Sequence, residues 1–314
     1  MLAALLTSLL FASSAICGYR AAKQIGGVEA NFWRIAVATI LLAAWAFTFG
    51  HQFAGAPGWF MLSGFFGIGL GDTAYFQALP RLGSRRTYLV TQSLNAPFAA
   101  VIEWLWLGTR LHLAEVLCAG ITLVGVCIAM APGDHAKISR RDWKIGIVAA
   151  ALGSLFGAIG SVIIRKGYAA VAAAHLSVDA GTTGYQRMLG GFLFPAILLL
   201  AVKWRPARPA GALLEGRTWR ISLGRLRRVW PWVMANALAG QTLGVTCMQW
   251  ALRTTPAAIV AAIIATSPLV LLPMTRVVEG EKIGLRALVG ALVAVGGVIG
   301  LTLVRWYWSH HAGF

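Results

Sequence analysis

The sequence predicts an all-α polytopic membrane protein of ten transmembrane helices, arranged as two inverted five-helix repeats. Three observations carry this. Of 314 residues, 58% are hydrophobic and 12% charged, about half the charged share of an average soluble domain. Such a chain has too little polar surface to wrap a core facing water. Stretches free of Asp, Glu, Lys and Arg fall into ten blocks near the length that crosses a bilayer. Short strings also recur between the two halves at a nearly constant offset.

The first block, Met1 to Tyr19, has no basic stretch ahead of it and is followed by nine more. It therefore reads as a membrane segment rather than a cleaved signal peptide. The second runs from Ile35 to Gly50. Gly50, Gly55, Pro57 and Gly58 then mark a turn, so the third starts near Trp59 and continues past Asp72 to Leu79. The fourth is Thr87 to Ile102, continuing past Glu103 to Leu107. The others are Val116 to Ala131, Ile145 to Ile164, Met188 to Val202, Val229 to Leu252, Thr254 to Thr275 and Ala287 to Val304. The shorter blocks gain length from flanking residues whose charged ends snorkel. Trp59, Trp104, Trp106, Trp143, Trp230, Trp232, Trp306 and Trp308 fall at block ends, where interfacial indoles belong.

The net charge of +17 would suggest nucleic acid if it formed one patch. Instead the basic residues lie between apolar blocks, and no nucleic-acid partner is expected. Loops after segments 1, 3, 5, 7 and 9 hold 21 of the 27 Lys and Arg. By the positive-inside rule these loops are cytoplasmic and both chain ends lie outside. Cys17, Cys118, Cys127 and Cys247 each sit in an apolar run with no C-x-x-C, which excludes a disulfide framework or zinc site.

The string Gly71-Asp72-Thr73-Ala74-Tyr75-Phe76-Gln77-Ala78-Leu79 aligns with Gly244-Val245-Thr246-Cys247-Met248-Gln249-Trp250-Ala251-Leu252. Pro97 likewise pairs with Pro268, Gly108 with Gly280 and Arg34 with Arg187. The repeats run over 1–131 and 144–307, with a cytoplasmic linker at 132–143, a basic loop at 203–229 and a tail at 308–314. A repeat with an odd number of crossings must sit upside down relative to its partner, an arrangement typical of secondary transporters.

Those strings, with Ala96-Pro97, Leu107-Gly108, Ser267-Pro268, Gly280-Glu281 and the glycine-rich fifth and tenth segments, resemble the two EamA repeats of the drug/metabolite transporter superfamily. The resemblance spans nearly the whole chain. It implies ten helices around a central cavity that exports or exchanges small metabolites. Two departures stand out. Thr109 occupies the place where the first repeat usually has Glu after Gly. The family's ten-helix members also have both ends in the cytoplasm, opposite to the charge count, which we follow.

Ionisable groups at membrane depth are costly and mark function. Asp72 lies 13 residues beyond Trp59 and 9 before Arg81, about 20 and 13 Å along a helix, hence near mid-depth. It is a candidate proton-titrating or substrate-cation-binding carboxylate, or else a buried ion pair or cap, for example with Arg85, Arg86 or Arg34. Thr73, Tyr75 and Gln77 extend a polar stripe from it. Gln92, Asn95, Asn236, Gln241, Thr246 and Gln249 are candidate cavity contacts. Pro97 and Pro268 break their helices and free backbone carbonyls for a solute. Glu103 is a candidate gate, or anchors at the interface beside Arg110. Arg34 and Arg187 open paired segments, either snorkelling to headgroups or binding an anion.

No G-x-S-x-G, H-E-x-x-H or P-loop motif occurs, and neither catalysis nor a cofactor is expected. The function predicted is secondary transport of small organic metabolites or drugs, as an exporter or exchanger working by alternating access with protons as the candidate coupling ion and without nucleotide hydrolysis, in a bacterial inner membrane. A lipid flippase or lipid-modifying protein is the alternative. Monomer and homodimer both remain open.

Overall fold

The structure, a computed structural model, describes residues 2–109, 111–130, 139–204, 223–267, 269 and 285–311. Among them there is no strand. The helices are α1 (Leu2–Ile25), α2 (Gly27–Thr48), α3 (Pro57–Gly64), π1 (Phe65–Asp72), α4 (Thr73–Leu107), α5 (Leu113–Met130), α6 (Arg140–Ala173), α7 (Ala180–Trp204), α8 (Leu223–Asn236), π2 (Ala237–Gly244), α9 (Val245–Thr254), α10 (Ala257–Ile264) and α11 (Leu285–His311). The centre of the basic loop, most of the linker, Arg110, Pro268, Gly280, Glu281 and the last residues of the tail lie outside the described residues.

Four of the described helices are long and apolar enough to cross a membrane: Leu2–Ile25, Gly27–Thr48, Arg140–Ala173 and Ala180–Ala201. Other crossings are composite. Residues from Pro57 run through α3, π1 and the first part of α4 as one rod. Pro57 supplies its start, its fixed φ suiting the first turn. The rod ends at Gly83, whose φ of 80° lies in the left-handed region where a side chain would be strained. Gly26, at φ 86°, makes the equivalent break between α1 and α2.

Most helices outrun their apolar blocks. A charge does not bound them: α2 begins at Gly27 and α7 at Ala180, so Arg34 and Arg187 are each the eighth residue of their helices. They are 5% and 3% exposed. Neither snorkels to headgroups, because each is turned inward among polar partners.

Glycines set the crossings. A Cβ on Gly64 would fall on the Arg187 carbonyl, and one on Gly190 on the Met61 carbonyl, so the α3–π1 rod and α7 meet backbone to backbone. On the rod's other side, a Cβ on Gly153 would lie 3.1 Å from the Gly71 carbonyl oxygen. Close approach of this kind is what small residues provide where helices pack without water to expel. The apolar core includes Phe60, Ile164, Leu252, Ile259 and Ile263. Gly125 faces Ala294 and Gly297 faces Thr122, joining α5 to α11 away from the centre.

Candidate functional site

A cavity containing about 1070 Å3 of space free of protein atoms opens where α1, α2, π1, α4, α6, α7, π2, α9 and α10 converge. Its wall takes residues from before the linker and after it.

Asp72 closes π1 and is the centre of the polar wall. Arg34 Nη2 stands 2.7 Å from its Oδ2, and Gln241 Nε2 donates to the same oxygen at 2.8 Å. A quarter of the Asp72 side chain (25%) remains open to the cavity. Arg34 is held in turn: its Nε donates to Asn31 Oδ1 at 3.0 Å, and its guanidinium lies 4.4 Å from the Phe76 ring centroid. Of the three pairing partners considered for Asp72, the structure realises Arg34.

Arg187 reaches the cavity from α7. Its Nε donates to Ser63 Oγ at 2.9 Å, and Ser63 passes its own hydrogen to the Gly160 carbonyl at 2.7 Å. No carboxylate lies within 4 Å of Arg187 among the described residues, and its Nη1 is buried without a hydrogen-bond partner. A charge at the centre of a membrane helix costs about 2.5–3.5 kcal/mol on insertion scales.

The predicted stripe divides by helical period. Tyr75 and Phe76, three and four residues beyond Asp72, line the cavity with it. Thr73 and Gln77 point elsewhere, because successive helical residues turn by about 100°. Thr73 Oγ1 donates to the Gly69 carbonyl at 2.6 Å and accepts from Asn31 at 3.4 Å. Gln77 accepts from Arg81 Nη1 at 3.1 Å.

Gln92, Asn95 and Asn236 join Gln241 on the wall. Asn95 Nδ2 donates to the Ser154 carbonyl at 3.3 Å, and Asn236 Oδ1 accepts from Ser14 at 3.0 Å. Thr246 and Gln249 do not line the cavity. Thr246 donates to the Thr242 carbonyl at 2.7 Å, whereas Gln249 is fully buried with neither amide atom partnered among the described residues. Pro97 lies on an exposed face of α4. The Ile264 carbonyl, four residues before Pro268, accepts from the Ser267 hydroxyl.

Glu103 sits apart and is 2% exposed. It pairs with Arg165 at 2.5 Å, and its Oε2 accepts the Ala257 amide at 2.8 Å, capping α10. This replaces the expected interfacial position, because the carboxylate neutralises a buried cation and satisfies an orphan helix donor together.

Two anchors went unforeseen. Asp179 accepts the Thr182 amide at 2.9 Å and the Trp45 indole at 3.0 Å, capping α7 and tying it to α2. Partial burial would push this carboxyl up, but the hydrogen bonds from Thr182 and Trp45 outweigh it and hold it below the usual carboxylate range. Gln186 Nε2 donates to the Gln52 and Ala54 carbonyls at 2.9 and 3.0 Å, pinning the α2–α3 connection. The spacing Asp179-x-x-Thr182 ahead of an apolar helix was the signal available for the first; nothing local marks the second.

A solved crystal structure covers 96% of this chain and 96% of its own length, with a TM-score of 0.70 at 16% sequence identity, a likeness of fold. No curated protein matches the sequence. The model of the EamA-like transporter family matches residues 1–131 and 144–303, and on that match the chain belongs to this family.

Proposed function

We propose that the chain is a secondary transporter, exporting or exchanging a small organic solute by alternating access, with Asp72 as the group that couples the movement to protons. Membership of the family makes it an integral membrane protein and a transporter of small molecules. The observation that carries the finer reading is the Arg34–Asp72–Gln241 cluster, which faces a central cavity and joins the two family-matched stretches. A carboxylate held between a cation and a neutral amide has two arrangements, paired when charged and released when protonated. Such a group can link proton occupancy to the hydrogen bond that joins π1 to π2. A bacterial inner membrane is the setting we infer.

The test is a metabolite comparison between cells lacking and cells overproducing the protein. We expect a small set of solutes to change in opposite directions, and overproduced Asp72→Asn to leave that set unchanged. In proteoliposomes loaded with a solute so found, Asp72→Asn should abolish uptake driven by a pH gradient while slower exchange persists. Gradient-driven uptake that survives the substitution would remove Asp72 from the coupling role.

A further inference from the structure

We propose that the solute is a small organic anion, a monocarboxylate with an apolar body, and that Arg187 is the group that binds its carboxylate. The inference rests on reading the cavity as the solute site and assigns the solute's charge.

Among the described residues, three charged side chains line the cavity: Arg34, Asp72 and Arg187. Arg34 and Asp72 form an internally neutral pair at 2.7 Å, which leaves the wall with one positive charge in excess. That charge belongs to Arg187, held 3% exposed with Nη1 unpartnered. The guanidinium is aimed rather than loose. Ser63 fixes Nε, and Gly67 makes room for the other side, where a Cβ would lie 2.7 Å from Nη2. A preorganised guanidinium with a free N–H is the geometry that recognises an oxyanion.

The same cavity is also lined by Phe11, Met248, Leu252 and Ile264, apolar surface that suits a hydrocarbon or aromatic body. The one carboxylate among the described lining residues, Asp72, is already matched by a cation, so a cationic solute would have to share it. Asp72 Oδ2 already takes both Arg34 and Gln241, and Arg187 would repel such a solute. One negative charge neutralises the site.

The test uses the purified full-length protein in detergent and a matched series: phenylpropionate, phenylpropylamine and phenylpropanol, with hexanoate, hexylamine and hexanol. Thermal unfolding is followed by intrinsic fluorescence across concentrations of each compound. We expect the carboxylates to raise the unfolding temperature above their amine and alcohol counterparts. Arg187→Gln should weaken their apparent affinity at least about tenfold, the effect of losing a charge-assisted hydrogen bond. Because it removes an unpaired buried charge, Arg187→Gln should itself unfold no lower than the unsubstituted protein. Should it fail to accumulate, Arg187→Lys, which keeps the charge and loses the fork, is expected to weaken carboxylate binding as well.

Amines or alcohols acting as strongly as carboxylates, no effect from any carboxylate, or an undiminished carboxylate effect in the Arg187 variants would each overturn the proposal. The metabolite comparison keeps the two readings separate. A neutral or cationic solute found there would sink the anion assignment and leave the transporter standing.

Discussion

Glu103 and Arg165 illustrate what a buried charge does when it is matched. Their pairing leaves Glu103 Oε2 free to cap α10 at Ala257. Glu103→Gln keeps an acceptor for the amide but removes the negative charge that Arg165 faces. Breaking a buried pair from one side costs about 3 kcal/mol or more, and thermal unfolding should show the loss. The Glu103→Leu, Arg165→Met double variant should recover most of it, and a double variant as unstable as the single would show that the pair does more than neutralise itself. Asp179 is a different case, since its folded carboxyl lies below the unfolded value of about 3.9. Its contribution is complete above that value and disappears as pH falls through the lowered one. Between about pH 5 and pH 3 the unfolding temperature should therefore drop more steeply in the unsubstituted protein than in Asp179→Ala.

At the scale of elements, both π segments run for eight residues and begin 172 positions apart, at Phe65 and Ala237. The offset is close to that of the aligned strings around Gly71 and Gly244. Wider winding at two such places is a feature often found at functional sites. Here it delivers Asp72 and Gln241 to the same cavity. Composition could not reveal it, because π and α winding share one residue pattern. The glycine crossings were partly legible, since Gly67, Gly69 and Gly71 announce close approach without naming the neighbour. Gly190→Ala should destabilise the fold by roughly 1–3 kcal/mol, the usual cost of overpacking, whereas Gly58→Ala, with nothing within 4 Å of the new atom, should not. Equal unfolding temperatures for the two would contradict the backbone contact between the α3–π1 rod and α7.

For the whole molecule, the sequence read the all-α membrane character and the two-part family pattern, because each is written in composition or periodicity. It misplaced Arg34 and Arg187 for a physical reason. A count that ends a segment at every charge assumes that charges seek water, and these two find polar partners inside. It grouped Thr73 and Gln77 with Asp72 by adjacency, although a helix separates neighbours onto different faces. The orientation rests on the basic loops and has a direct test in a cysteine-free background. Ser139→Cys should resist a membrane-impermeant thiol reagent applied to intact cells, while Ala174→Cys should be modified. The reverse pattern would turn the molecule over.

The bond from Gln241 to Asp72 spans the two family-matched stretches at the cavity wall. On the proposed cycle it acts as a latch. With nothing bound, swinging from one face to the other would tear an amide from a charged carboxylate, so the vacant carrier stays put and the gradient does not leak away. Cargo or a proton lifts the latch, and the same small contact that steadies the resting protein thereby keeps traffic in step with its fuel.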